Sequence, residues 1–269
     1  MVLCSNCSTP LNSEFTFCPN CGQKTRLHRL SMKDVFHEGL HYFTHADKGF
    51  FLLLKNLIYK NGTIAKDYVE GKRKKYFPPL NFYLVVATIL VLVFSLITNS
   101  TKPASSDHPE LKYIKDPVQR AEVTRIYDRQ AIAVQFINKY SNIVAMIAIP
   151  LICFIYWLFY RKGKYNYTEH MVACMYMMGF ANLFYALIIV PLSILLNLKS
   201  SYPLLVLTLF VIPQMIYCSV FYYRFMGKGT RSSALKATSV SIFAVAFWFV
   251  FSSLLVGLYI KNGFWGIIK

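Results

Sequence analysis

The sequence predicts an all-α membrane protein of about five transmembrane helices, with a small four-cysteine zinc ribbon at the N-terminus and an interfacial helix. Three observations predict it. Of the 269 residues, 55% are hydrophobic and only 15% charged, where soluble domains carry about 25% charge. Five uncharged runs are each long enough to span roughly 30 Å of hydrocarbon at about 1.5 Å per helical residue. Two Cys-x-x-Cys pairs, Cys4/Cys7 and Cys18/Cys21, stand ahead of all of them.

The runs are 80–98, 141–160, 171–195, 202–223 and 238–260, and none contains Asp, Glu, Lys, Arg or His. Basic residues cluster before the first run (Lys66, Lys72, Arg73, Lys74, Lys75), between the second and third (Arg161, Lys162, Lys164) and between the fourth and fifth (Arg224, Lys228, Arg231, Lys236). The positive-inside rule then makes the N-terminus cytoplasmic and the C-terminus external. No basic start followed by an apolar core precedes the cysteines, so the first span is expected to act as its own insertion signal. The net charge of +17 is dispersed at span ends, not gathered on one soluble face. That distribution fits anionic headgroups and speaks against nucleic acid.

The chain divides into a ribbon (1–25), a cytoplasmic and interfacial segment (26–79), a transmembrane bundle (80–260) with an external loop (99–140), and an external tail (261–269). In the ribbon, each Cys-x-x-Cys points two thiolates at one tetrahedral ion, and four thiolates leave no open position for a water. The site is therefore read as structural zinc, with metal binding supplying the folding energy that so short a segment lacks. In the next segment, Phe50–Tyr59 is apolar but too short to cross, and Lys55 interrupts it. It reads as a helix in the headgroup plane, stopped by Asn61-Gly62. The run Lys72, Arg73, Lys74, Lys75 is read as a lipid-headgroup contact and topology determinant. In the external loop a helix is expected from Asp116, with Pro117 at its first position, running into the second span.

Three further constellations bear on chemistry. His37-Glu38-Gly39-Leu40-His41 matches the H-E-x-x-H pattern of zinc proteases, with His37 and His41 as the metal ligands. Gly39 weakens the helix it needs, and the better reading is a polar stripe, continued by His45, on an interfacial helix. Asn166 and Glu169 cap the third span. Glu169 is also the only acid after residue 128, so Glu169 and His170, with Asn182 and Gln214, form a candidate site inside the bundle. Met171, Cys174, Met175, Met178, Met215 and Cys218 are soft ligands by type and are read as packing. Pro150, Pro191 and Pro213 are expected to kink their spans.

Several of these segments resemble one family. They are the ribbon ending Cys21-Gly22-Gln23, the stretch His45-Ala46-Asp47-Lys48-Gly49, the stretch Asp67-Tyr68-Val69-Glu70-Gly71-Lys72-Arg73 with Tyr76 and Pro78, and the stretch Asn166-Tyr167-Thr168-Glu169-His170. Together they look like an uncharacterised family of multi-pass membrane proteins common in Bacteroidota. The resemblance covers nearly the whole chain and is most specific in 4–80. It implies a bacterial inner-membrane location and supplies no reaction.

The residues thus favour a non-enzymatic membrane protein whose ribbon docks a cytoplasmic partner. A permease for a neutral or lipidic solute and an H-E-x-x-H protease are the alternatives.

Overall fold

The computed structural model describes residues 2–12, 14–26, 28–42, 49–100, 111, 113–196, 203–227 and 229–262. Two short antiparallel strands, β1 (Val2–Leu3) and β2 (Pro10–Leu11), open the chain, and a bridge joins Phe17 to Lys24. Helices follow: α1 (Met32–Tyr42), α2 (Gly49–Tyr59), α3 (Thr63–Val69), α4 (Pro79–Ser100), α5 (Pro117–Lys139), α6 (Ser141–Tyr160), α7 (Tyr167–Phe184), α8 (Val190–Leu195), α9 (Pro203–Met226) and α10 (Arg231–Asn262). Among the described residues, five helical stretches, built on α4, α6, α7–α8, α9 and α10, are long and apolar enough to cross a membrane. The expected all-α membrane architecture is therefore present.

Boundaries move where polar residues disguise a first turn. α7 starts at Tyr167 rather than Met171, because Glu169 and His170 belong to its first turn. α10 starts at Arg231, well before Thr238, with Lys236 inside it. The loop helix does begin at Asp116, whose carboxylate accepts the Val118 N–H at 3.0 Å. It does not run smoothly into the second span, since Tyr140 leaves helical geometry at φ −110° between α5 and α6.

Pro191 acts before its own position. Residues Tyr185–Ile189 form a π-helical turn linking α7 to α8, and the Val190 N–H reaches back to the Tyr185 carbonyl. A proline ring clashes with the carbonyl four residues earlier and offers no N–H. Widening the preceding turn relieves both faults without breaking the span. Pro150 and Pro213 sit inside unbroken α6 and α9.

The chain forms two compact units. The first comprises 1–86 and 149–245 and is built around α7, whose residues from Thr168 to Gly179 are all buried. A helix buried on every side shows no amphipathic stripe, which is why its sequence reads as uniformly apolar. α2 and α3 pack on it, α3 also packing on α9. Leu53 and Leu57 of α2 are fully buried, while Phe51, Leu52, Ile58 and Tyr59 stay exposed. The α2 turn stops where expected, but the left-handed residue is Asn61 (φ 52°), not Gly62. Gly62 serves proximity instead: a Cβ there would overlap the Phe221 carbonyl oxygen. The second unit, 87–148 and 246–269, holds α5 and the ends of α4, α6 and α10.

Candidate metal centre and the joint that holds it

Each Cys-x-x-Cys turn closes on a left-handed residue. Ser8 (φ 59°) follows Cys7 and Gly22 (φ 68°) follows Cys21. The Ser8 N–H returns to the Cys4 carbonyl and the Gly22 N–H to the Cys18 carbonyl, both at 2.9 Å. The two turns are thus the same structure built twice, and Ser8 occupies a position that favours glycine.

They bring the four thiols together. Cys4 Sγ lies 3.6 Å from Cys21 Sγ, and Cys7 Sγ lies 3.6 Å from Cys18 Sγ. All four sulfurs fall within 4.8 Å of one another, and all four are free thiols. Sulfurs at about 2.3 Å from a central tetrahedral ion would lie about 3.8 Å apart, so the donor set fits one such ion. Cys4, Leu11 and Cys18 are the ribbon's buried core, too little to fold it unaided. Around the sulfurs, the Thr9 hydroxyl sits 3.1 Å from Cys7 Sγ and accepts the Asn20 amide at 3.1 Å. Hydrogen bonding to Thr9 lowers the Cys7 thiol to about 6, while burial pushes Cys21 up to about 11. A bound cation would deprotonate such thiols outright.

The ribbon is tied to the rest of the first unit by a series of hydrogen bonds. Ser5 Oγ donates to the Gly71 carbonyl at 3.4 Å. Buried Gln23 accepts the Lys74 N–H at 3.2 Å. Arg73 Nη2 donates to the His28 carbonyl at 3.1 Å. Arg29 then reaches the start of α7: its Nε donates to Glu169 Oε1 at 3.1 Å and its Nη2 to Oε2 at 3.0 Å. The same Nη2 donates to the Lys164 carbonyl at 2.6 Å. One residue on, the Leu30 carbonyl accepts the Asn166 amide at 3.1 Å.

Glu169 also closes the expected cap. Its N–H donates to Asn166 Oδ1 at 2.8 Å, and its carboxylate accepts the Asn166 N–H at 2.6 Å. This is a reciprocal capping box whose acid is shared with an arginine 140 residues away in sequence. Arg29 was not singled out in the sequence, Lys164 was read only as a topology-setting cation, and Gln23 only as the end of the ribbon. Nothing local marks one of 29 basic residues as the partner of a distant carboxylate.

The other basic residues of the joint are largely engaged internally. Lys72 Nζ pairs with Asp67 at 2.8 Å, and the Tyr76 hydroxyl donates to the same carboxylate at 3.0 Å. Burial pulls the Asp67 carboxyl up, but those two donors outweigh it and hold the group below its ordinary value. Glu70 accepts from Lys164 Nζ at 2.8 Å and the Tyr165 hydroxyl at 3.3 Å. Of the polybasic run, Lys74 and Lys75 remain exposed, while Lys72 and Arg73 are half-buried.

The four residues of the candidate bundle site do not gather. Glu169 faces Arg29. His170 is fully buried, with Nδ1 2.5 Å from the Tyr222 hydroxyl and Nε2 without a hydrogen-bond partner among the described residues. Tyr222 in turn stacks on Tyr156 at 3.8 Å, and Tyr156 donates to Ser241 at 2.8 Å. Asn182 lies about 20 Å further along the helix and bonds Tyr83. Gln214 is half-buried on α9. In the H-E-x-x-H stretch, His37 is on the exposed side of α1. The side chains of Glu38 and His41, and all of His45, lie outside the described residues. Cys174 and Cys218 are fully buried packing residues, as are Met171, Met175 and Met178 to within a few per cent.

Among known proteins, a family model described as "Protein of unknown function (DUF3667)" matches residues 47–91. That stretch holds α2, α3, the polybasic turn and the start of α4, the surface on which the ribbon rests; the ribbon and α7 lie outside it. No curated protein matches the chain, and no solved structure does.

Proposed function

We propose that the chain is a non-enzymatic, multi-pass protein of the bacterial cytoplasmic membrane whose N-terminal zinc ribbon is a docking module. One observation carries the reading. Four thiols close around a single position with no place for a substrate, on a module that Arg29 and Glu169 pin to a membrane-spanning helix. Thiolate donors at this spacing suit structural zinc. The ribbon exposes Val2, Leu3, Phe15 and Phe17, more apolar surface than a segment of this size leaves to water without a use for it. A cytoplasmic protein partner would cover them. The clusters of basic residues at alternate span ends support a cytoplasmic N-terminus and an external C-terminus. Lys74 and Lys75 then face anionic headgroups, each contributing about 1 kcal/mol.

The test uses the full chain purified in detergent. Elemental analysis should find one zinc per chain, and Cys18→Ser with Cys21→Ser should lose it together with any co-purifying cytoplasmic protein. Phe15→Ser with Phe17→Ser should lose the partner and keep the zinc. Partner recovery that ignores both pairs of changes would end the docking reading.

A permease for a neutral or lipidic solute is the second reading, supported by the unpartnered Nε2 of His170 in the first turn of a buried helix. Uptake into proteoliposomes that His170→Ala abolishes, with zinc retained, would favour it.

A further inference from the structure

The second unit contains a groove that the docking reading does not use. It is about 740 Å³, within the roughly 300–1,000 Å³ of ligand-sized sites. Ile132 and Phe136 of α5, Ile147 of α6, and Phe251, Leu255 and Tyr259 of α10 form its walls. Its lining is mostly apolar; the polar side-chain groups are the hydroxyls of Ser252, Ser253 and Tyr259 and the indole N–H of Trp248, and the Ser252 hydroxyl is already donated to the Phe249 carbonyl at 3.1 Å. No charged side chain lines it, and Ile, Phe, Val, Leu and Ala side chains make up most of the wall, which suits a hydrocarbon occupant.

One end is different. Ile260 lines the groove, and there Arg129 Nη1 donates to the carbonyls of Ile260 and Lys261 at 3.2 and 3.0 Å. This contact caps the C-terminal carbonyls of α10 and fixes a guanidinium at one end of an apolar slot, on the backbone of exposed Lys261. Arg125 stands one turn earlier on α5. Glu122 and Asp128 share that helix, yet among the described residues no carboxylate pairs with Arg125, Arg129 or Lys261. α10 is itself a membrane-spanning helix, so the groove opens where acyl chains are the solvent.

We propose that this groove binds an acyl chain of an anionic glycerophospholipid from the surrounding membrane, with Arg129 and Lys261 holding its phosphate. A guanidinium bound to the Lys261 backbone, with that residue's own ammonium on a flexible stem, supplies two cations for a phosphate diester, and the slot beyond takes the chain.

The experiment is native mass spectrometry of the full chain in detergent, with phosphatidylglycerol or phosphatidylcholine of identical chains added at equal concentration. Phosphatidylglycerol should be retained over phosphatidylcholine by roughly fivefold for each cation engaged. Ser253→Trp, which fills the slot, should lose the retained lipid. Arg129→Gln with Lys261→Gln should keep a bound lipid and erase the preference; this pair decides the matter if the Trp variant fails to fold. Equal retention of both lipids by the wild type, or an unchanged preference in the Gln pair, overturns the proposal. So does a wild-type dimer that Ser253→Trp splits without changing bound lipid, which would make a second copy the occupant.

Discussion

Arg29 and Glu169 form a two-pronged ion pair in which the carboxylate is 6% exposed and the guanidinium 56% exposed. The asymmetry matters. Removing the cation leaves the acid still satisfied in part by the Asn166 N–H, whereas removing the acid strips both the cap and the clamp.

Glu169→Gln should therefore destabilise the first unit by about 2 kcal/mol, the range for charge-assisted hydrogen bonds. Arg29→Ala should cost less, about 1 kcal/mol, because solvent screens a half-exposed cation. Arg29→Lys should cost less than Arg29→Ala, since it keeps a cation for Glu169 but cannot also hold the Lys164 carbonyl. Limited proteolysis in the stretch 24–31 reads the loosening. Equal cleavage of wild type and Glu169→Gln would show that the clamp does not hold the ribbon.

Gly22→Ala meets no atom within 4 Å, so its cost is the left-handed backbone alone, about 1–2 kcal/mol. Zinc affinity of the full chain should drop roughly five- to thirty-fold, and competition with a chromophoric chelator measures it. Ser8→Gly relaxes the twin position and should leave affinity equal or higher. A fall on Ser8→Gly as large as that of Gly22→Ala would refute the equivalence of the two turns.

Gly62→Ala should be among the most damaging small substitutions in the chain. The added methyl meets the backbone of Phe221 and Phe225, which cannot swing aside as a side chain can, and overpacking of this kind costs roughly 1–3 kcal/mol. Gly229→Ala is the control: its φ is +67° with nothing within 4 Å, so it bears only the conformational cost. Thermal melts of the two variants in detergent should differ clearly, with Gly62→Ala the lower.

Asp34 links α1 to the segment before it. It accepts from Ser31 N–H at 2.9 Å and Ser31 Oγ at 2.6 Å, and faces His28 at 3.0 Å. Burial pulls its carboxyl up, but these partners prevail and lower it to about 2. Since the folded value lies below the unfolded one near 4, its contribution is complete above about pH 4 and fades as pH falls through 2. Carboxyl-carbon NMR should find the midpoint near 2; one near 4 would mean that the Ser31 cap does not form.

Much of this was legible in the residues. Uncharged runs located the spans, because hydrocarbon excludes charge whatever the packing, and cysteine spacing located the candidate metal centre, because a tetrahedral ion would require four thiols at one point. Asn166 and Asp116 announced their caps through local chemistry. What stayed hidden is long-range. Gln23 looks like any surface amide until the Lys74 N–H is seen against it. Lys72 and Arg73 read as headgroup contacts, yet their partners Asp67 and the His28 carbonyl take them inward. The π turn before Pro191 was invisible because a proline announces a fault in the helix without saying how the turn absorbs it.

The 140 residues between Arg29 and Glu169 also set a clock. Synthesis at roughly 5–20 residues per second delivers the cysteines about 7–30 s before the carboxylate that anchors them. During that interval the nascent ribbon has its four thiols but no berth, and its exposed phenylalanines stand beside an unfinished bundle.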